Sequence, residues 1–174
     1  DGVDLRWVFG NITSAEMFSN LFIDVQAIED IPNGTPVMYA GSVGNSGRIY
    51  VKKAVGSELL SDPHMFAGVT TNAILTNGID KVNWFGEVTM DTSAYTIGSM
   101  LYVDTANATP GLWTTTKPSA PNAIIEVALV ISVGPNGKIH VRPDMNTNLS
   151  QLNDVHFNGH TFTGGEGLIY DNVN

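Results

Sequence analysis

The sequence predicts an all-β protein: a compact β-barrel or β-sandwich with an N-terminal arm and an extended C-terminal segment. Three observations favour this class. Short stretches rich in β-branched and aromatic residues recur along the chain, and such residues favour the pleated, half-buried surface of a strand. Turn signals containing Pro, Asn or Gly separate these stretches about every ten residues, as in sandwiches and barrels. The decapeptide SVGNSGRIYV at 42–51 also returns as SVGPNGKIHV at 132–141.

The first candidate element is the stretch SAEMFSNLF near the N-terminus. As a helix, it would be capped by Ser14 and would place Met17, Phe18 and Leu21 on one face. A strand over residues 21–28 fits the sequence equally well, so both alternatives stay open.

Both copies of the decapeptide have the pattern of a β-hairpin. In each copy, alternating apolar residues flank a turn whose residues tolerate positive φ, GNSG at 44–47 and GPNG at 134–137. A period of two on either side of such a turn is the usual hairpin signal. The other identities indicate equivalent places in a pseudo-symmetric β structure, with a chance or convergent match as the alternative.

Further strands are predicted between the two hairpins, and no convincing helix. The strand candidates are 65–71, 81–90, 98–104 and 111–116. Each combines Thr, Val or aromatic residues with a nearby turn signal.

The ends of the chain differ from its middle in charge. The 174 residues carry a net charge of −9, of which residues 1–35 contribute −5, residues 36–143 zero and residues 144–174 −4. Acidic ends argue against nucleic acid and anionic membranes as partners. We predict three parts: an N-terminal arm or attachment segment at 1–31, a central β domain at 32–143 and an extended segment at 144–174.

The C-terminal segment is rich in Asn and Gly, and its apolar residues are too sparse for a core of its own. We expect it either to be disordered or to be ordered by neighbouring chains through Leu149, Leu152, Val155 and Phe157. Because the chain begins with Asp1 rather than Met, we also expect a processed form or a piece of a longer protein. Cysteine is absent, which excludes disulfides, zinc–thiolate sites and a cysteine nucleophile.

The order of these elements resembles that of a known class of viral proteins. The stretches GTPVMYAGSVGNSGRIYVKKA, VNWFGEVTMDTSAYTIGSMLYVD and TPGLWTTTKPSAPNAIIEVALVISVGPNGKIHVRP precede a tail that contains LSQLNDVHFNGHTFTGGEGLIYDN. Together, over roughly residues 32–172, they resemble virion structural proteins of tailed bacteriophages, of the tail-fibre and head-fibre (decoration) type. The resemblance implies a compact β domain, frequent assembly as a homotrimer, and a linker or fibre-shaft role for 144–174.

The resemblance implies a structural function in the virion. We expect a tail-fibre or tail-accessory component used in assembly or host attachment, with a capsid decoration or head-fibre protein as the alternative. A glycan- or receptor-binding module is the alternative of another class. The expected partners are other copies of the chain, other virion proteins and, for attachment, a host surface glycan, but neither nucleic acid nor a membrane.

Signals for chemistry are weak, and we predict no enzyme, no cofactor and no catalytic or metal residue. The sequence has no Gly-x-Ser-x-Gly, His-Glu-x-x-His or phosphate loop, although scattered carboxylates leave a glycosidase pair open. His156 and His160 would share a metal if a turn brought them together, but a polar turn is favoured. Trp7, Trp84 and Trp113 could stack on a sugar, but core or subunit contacts are favoured.

Most basic residues are predicted to lie on the outgoing strands of the two hairpins. They are Arg48, Lys52, Lys53, Lys138 and Arg142, five of the eight in the chain. One interpretation is a positive patch that pairs with acidic ends of a neighbouring subunit. The favoured interpretation is protection of exposed strand edges, where Lys and Arg prevent strand-to-strand aggregation.

Overall fold

The computed structural model describes residues 20–119 and 121–146, and it is all-β, as predicted. The strands are β1 (Asn20–Ala27), β2 (Pro36–Ser42), β3 (Ile49–Lys53), β4 (Phe66–Thr70), β5 (Ile79–Met90), β6 (Met100–Val103), β7 (Trp113–Thr114), β8 (Ile124–Ser132) and β9 (Gly137–Asn146). A six-residue helix, α1 (Gly56–Ser61), and a 3-10 turn (Pro63–Met65) connect β3 to β4. Within this part of the chain, no helix is both long and apolar enough to cross a bilayer.

Five strands close into a small barrel. β1 pairs with β3, β3 with β2, β2 with β4 and β4 with β5, and β5 returns to β1. The β1–β3 pair is parallel and the other four are antiparallel. Closure of a sheet on itself removes the free edges that invite pairing with other chains. The interior is filled by Val25, Ala27, Ile31, Val37, Val51, Ala67, Ile74 and Val82.

β5 also carries the sheet beyond the barrel. Its first part pairs with β1, whereas its last part, from Gly86 to Met90, pairs with β9. β8, β6 and β7 follow β9 in that order. The inner face of this extension and α1 cover a second, larger core, which includes Leu59, Val88, Leu101, Val103, Ile125, Val127, Val130, Ile139 and Val141.

β2 and β4 form a wall between the two cores. Val37 and Ala67 belong to the barrel core, and their neighbours Met38 and Phe66 belong to the second core. Successive side chains of a strand point to opposite faces, so each of these short strands contributes to both cores. All five residues of β4 are buried for this reason.

Most of the predicted strands are confirmed. The two hairpins are β2–β3 and β8–β9, and the four candidates between them are β4 to β7. At the N-terminus the strand alternative is correct from Asn20 onwards, and residues 14–19 of the helix candidate lie outside the described residues. Residues 20–31, counted above with the arm, therefore belong to the barrel, and Ile31 lies in its core.

Helix α1 contradicts the prediction that the central domain has no helix. Six residues make fewer than two turns, which is too short for an apolar period to show in the sequence. Val55 at the N-cap supplies no side-chain hydrogen bond, so the usual start signal is also missing. Leu59 is fully buried in the second core. Val55 and Leu60 pack against the same core. Tertiary packing of these side chains, rather than local propensity, stabilises the helix.

The two copies of the decapeptide form hairpins with different registers. Ser42 pairs with Ile49, whereas the equivalent Ser132 pairs with Lys138, one residue earlier than the repeat would place it. β8 shifts its register between Val130 and Ser132, and the first hairpin shifts elsewhere. Identical residues therefore do not produce identical pairing in the two hairpins.

Equivalent glycines of the two turns are needed for different reasons. Gly47 has a φ of +75°, and a Cβ atom there would meet nothing within 4 Å. Gly137 has an ordinary φ, but a Cβ atom would overlap the hydroxyl of Thr92. That hydroxyl donates to the carbonyl of Ser132 over 2.7 Å and fixes the end of β8. The first glycine thus supplies a left-handed backbone, and the second supplies space.

We expect Gly47→Asn and Gly137→Asn to differ in their effects on stability. Asn adopts the left-handed region more readily than other non-glycine residues, so the free energy of unfolding should fall by less than about 1 kcal/mol at position 47. At position 137 the side chain overlaps Thr92, and we expect a loss of about 1–3 kcal/mol or more. Urea denaturation measures both, and equal losses would contradict the distinction.

Met38→Ala should destabilise the barrel as well as the second core, because β2 belongs to both. The side chain is fully buried, and we expect truncation to lower the free energy of unfolding by about 2–5 kcal/mol. Backbone amides of β1 and β8 should both exchange faster with solvent deuterium. Leu75→Ala, at a side chain that is 72% exposed, is the control. Faster exchange in β8 alone would show that the two cores unfold independently.

Candidate interaction surface

A row of four apolar side chains and one histidine crosses five neighbouring strands on the outer face of the extended sheet. Leu21 of β1 pairs with Phe85 of β5, whose ring lies edge-on to His140 of β9 with the ring centres 5.3 Å apart. His140 pairs with Leu129 of β8, which pairs with Met100 of β6. Residues directly opposite each other on paired strands share a face. We call these five residues the cross-strand row.

The cross-strand row is accessible to solvent. Leu21 is 56% exposed and Phe85 is 39% exposed, while the other three side chains are half-buried. Two neighbours in sequence, Phe22 next to Leu21 and Ile131 two residues after Leu129, are also exposed. Contiguous exposed apolar side chains on a folded chain mark sites of interaction.

Ion pairs lie along the cross-strand row on both sides. The ammonium of Lys138 lies 2.8 Å from the carboxylate of Glu87, next to the Phe85–His140 contact. Arg142 lies 3.8 Å from Glu126 on the other side of His140. A third pair, Asp24 and Lys81, joins β1 to β5 at 2.8 Å. Each pair is solvent-exposed to some degree, so each contributes little to stability.

The structure pairs four of the five predicted basic residues with carboxylates of the same chain. Besides Lys138 and Arg142, Lys52 binds Glu58 at 2.6 Å and Lys53 lies 3.5 Å from Glu29. The favoured interpretation of edge protection is wrong, because β3 lies between β1 and β2 and β9 lies between β5 and β8. Pairing with acidic ends of a neighbouring subunit stays a prediction, and it would compete with these carboxylates.

A second, smaller apolar area lies at one end of the barrel. Ile28, Leu75 and Ile79 are 44%, 72% and 54% exposed. Beside them, a carboxylate oxygen of Asp30 accepts hydrogen bonds from the backbone N–H and the hydroxyl of Thr76, at 2.7 and 2.8 Å. We call Ile28, Leu75 and Ile79 the barrel-end patch. It spans one loop and two strand ends, so it is less continuous than the cross-strand row.

Two of the three tryptophans serve the core, which was the favoured interpretation. Trp84 and Trp113 both pack against the second core. The ring centre of Trp84 lies 6.0 Å from that of Phe66, and the indole N–H of Trp113 donates to the carbonyl of Gly34 over 2.7 Å. The core therefore covers part of each ring. Trp7 lies outside the described residues.

No metal site is formed by the part of the chain that the structure describes. There, no group of three or more His, Asp and Glu side chains is close enough together to hold an ion. His156 and His160 lie outside the described residues, so the metal and the turn interpretations of that pair both stay predictions.

A cleft of about 380 Å³ lies between α1 and the loop that follows β6. Its polar lining is largely engaged within the chain. The hydroxyl of Thr105 donates to the carbonyl of Ala123 over 2.6 Å, and the side-chain oxygen of Asn107 accepts from the N–H of Thr109 at 3.0 Å. Because the cleft presents no cluster of unpaired polar groups, it is a weaker candidate than the cross-strand row.

The sequence contains one local signal for the cross-strand row. Trp84 and Phe85 are consecutive, and consecutive residues of a strand face opposite sides. One of two adjacent aromatic side chains must therefore lie on the outer face. The other members of the row come from distant parts of the chain, and only the strand order brings them together.

Comparisons with known proteins leave the family open. No protein-family model matches the chain, and no curated protein matches it. Among solved structures, it is similar to the N base of the head fiber protein gp8.5 of bacteriophage phi29. The two share 9% sequence identity at a TM-score of 0.42, over 74% of this chain and 99% of the other. A likeness this distant carries no argument about function.

Two carboxyl groups near these surfaces are held in their charged form. A hydrogen bond from Lys81 and its positive charge lower the pKa of Asp24. Hydrogen bonds from the backbone N–H and then the hydroxyl of Thr76 lower the pKa of Asp30. Both pKa values are lower in the folded chain than the ordinary value of 3.8. As the pH falls, the unfolded chain therefore binds more protons than the folded chain does. These groups stabilise the fold above that pH and lose the effect as the pH falls through the folded values.

Asp30→Asn should therefore flatten the acid side of the stability profile. We expect the free energy of unfolding of the natural chain to fall as the pH drops below about 4, and to fall less steeply in the variant. Thr76→Val removes the hydroxyl donor but keeps the N–H group, so its slope should lie between the two. Urea denaturation across this pH range is the measurement. Parallel profiles for all three proteins would contradict the role of Asp30.

Proposed function

We propose that this protein is a structural component of a tailed-bacteriophage virion, a tail-fibre or tail-accessory protein that serves in assembly or host attachment as a homotrimer. The observation that carries the proposal is the cross-strand row. It offers four apolar side chains and a histidine from five strands on one face, which suits binding to another protein rather than chemistry on a small molecule.

The sequence supports the same proposal independently of the surface. The order of turns and strands over roughly residues 32–172 resembles that of phage fibre and decoration proteins. A closed barrel that shares a wall with a second core is a compact unit suited to a permanent structural role. The proposal assigns the chain no catalysis, no cofactor and no nucleic-acid or membrane partner.

Two alternatives differ in where the chain sits and what it binds. A capsid decoration or head-fibre protein has the same structural requirements, and the sequence resemblance covers both types. A host-glycan or receptor-binding module would need a Trp or Tyr exposed in a concave site. Trp84 and Trp113 pack on the second core instead, so we place this alternative below the other two.

Fractionation of the phage particle tests the proposal. Virions are separated into heads and tails, with the major capsid protein and the tail-tube protein as markers, and this chain is located by mass spectrometry. We expect it in the tail fraction. Its presence on tail-less heads would support the decoration alternative instead, and its absence from purified particles would contradict both. Retention of the isolated chain on host polysaccharide would favour the glycan-binding alternative.

A further inference from the structure

We propose that the cross-strand row is the surface through which two copies of this chain meet, the same face against the same face. A contact of this kind is two-fold and joins copies in pairs, so it is separate from the three-fold contacts of the proposed homotrimer. The inference therefore does not rest on the proposed function. The occupant of the row is thus a second copy of the chain.

The exposed apolar side chains of the row supply the driving force for association. Leu21 is 56% exposed and Phe85 is 39% exposed. Removal of such surface from water is the main favourable contribution to protein association. Buried aromatic side chains contribute strongly to a contact, and Phe85 lies between Leu21 and His140 in the row.

Charge favours a second copy as the occupant. The chain carries a net charge of −9, so two copies repel each other on most approaches. The face around the row is different, because cations stand beside most of its carboxylates. The ion-paired residues are Asp24, Glu87, Glu126, Lys81, Lys138 and Arg142, and the exposed Asp144 next to Glu126 adds one carboxylate. A face whose charges nearly cancel is where two acidic chains can approach with the least repulsion.

The arrangement of these charges also suits contact with an identical face. Each cation lies beside a carboxylate of the neighbouring strand, so the signs alternate across the sheet. In a symmetric contact, the residues of one copy meet the same set of residues from the other. Glu87 and Lys138 of one copy can then face Lys138 and Glu87 of the next. A strongly acidic or basic partner would instead have to break the pairs within the chain.

A single charge placed in the row tests the surface. In Phe85→Lys, association would bury an unpaired ammonium, whereas Ile79→Lys places the same charge on the same strand in the barrel-end patch, at a side chain that is 54% exposed. We expect the full chain to sediment as an oligomer, Phe85→Lys to associate at least tenfold more weakly, and Ile79→Lys to associate like the natural chain. Circular dichroism establishes that each variant is folded.

A second variant controls for misfolding of the first. Leu21→Lys, at the far end of the row and 56% exposed, should weaken association in the same way. If both row variants sediment like the natural oligomer, the inference is wrong. Loss of association in Ile79→Lys alone would place the contact at the barrel end and would also overturn it.

Cysteine crosslinking tests whether the same faces meet. The natural chain has no cysteine, so one introduced residue reports on one position. Thr89 is exposed on β5 and pairs with Lys138, close to the row. Thr89→Cys should give covalently linked pairs with a short bis-maleimide reagent, whereas Leu75→Cys should stay unlinked. Linkage through Leu75→Cys alone would contradict face-to-face contact.

The outcomes separate this inference from the proposed function. A full chain that sediments as a single copy at every concentration would show that the row is covered by another part of the chain or by a different protein, and the inference would fail. The chain could still be found in the virion, in which case the proposed function would stand. An oligomer that meets through the row but is absent from virions would give the opposite result.

Discussion

The double-sided wall formed by β2 and β4 is the constraint on which the rest of the structure depends. Its residues must be apolar on both faces, because Val37 and Ala67 fill the barrel while Met38 and Phe66 fill the second core. Neither core can be completed without this wall, so the barrel and the extended sheet form one packed unit. β5 strengthens the connection, since it pairs with β1 and β4 in the barrel and with β9 beyond it. The backbone of the extended sheet is consequently tied to both cores.

Much of this architecture could be predicted from local signals. Turn residues such as GNSG and GPNG act within a few residues, so both hairpins and the positions of β4 to β8 followed from the sequence. What could not be predicted depends on contacts distant in the chain. Helix α1 is held by the burial of Leu59, and β1 belongs to the barrel because it finds β3 and β5. The register of each hairpin also depends on bulges, which an identical decapeptide did not determine.

The interaction surface was less predictable than the fold for the same reason. Its residues come from five strands that are up to 119 positions apart, from Leu21 to His140, and no local pattern connects them. The basic residues show the limit most clearly. Alternation correctly placed Lys138 and Arg142 opposite the buried Ile139 and Val141, but their partners Glu87 and Glu126 are set by strand order. Without the strand order, the sequence favoured edge protection as the role of these cations, although neither β3 nor β9 is an edge strand.

The path of β5 through both halves has a mechanical consequence. Its twelve residues are one covalent segment, so a pull on the outer sheet passes directly along the backbone into the barrel. There the load meets the antiparallel β1–β5 ladder, from Gln26↔Ile79 to Asn20↔Gly86. When a force acts along the strands, the hydrogen bonds of this ladder resist it together rather than one after another. A module built in this way can bear tension between what binds its sheet and what binds its barrel.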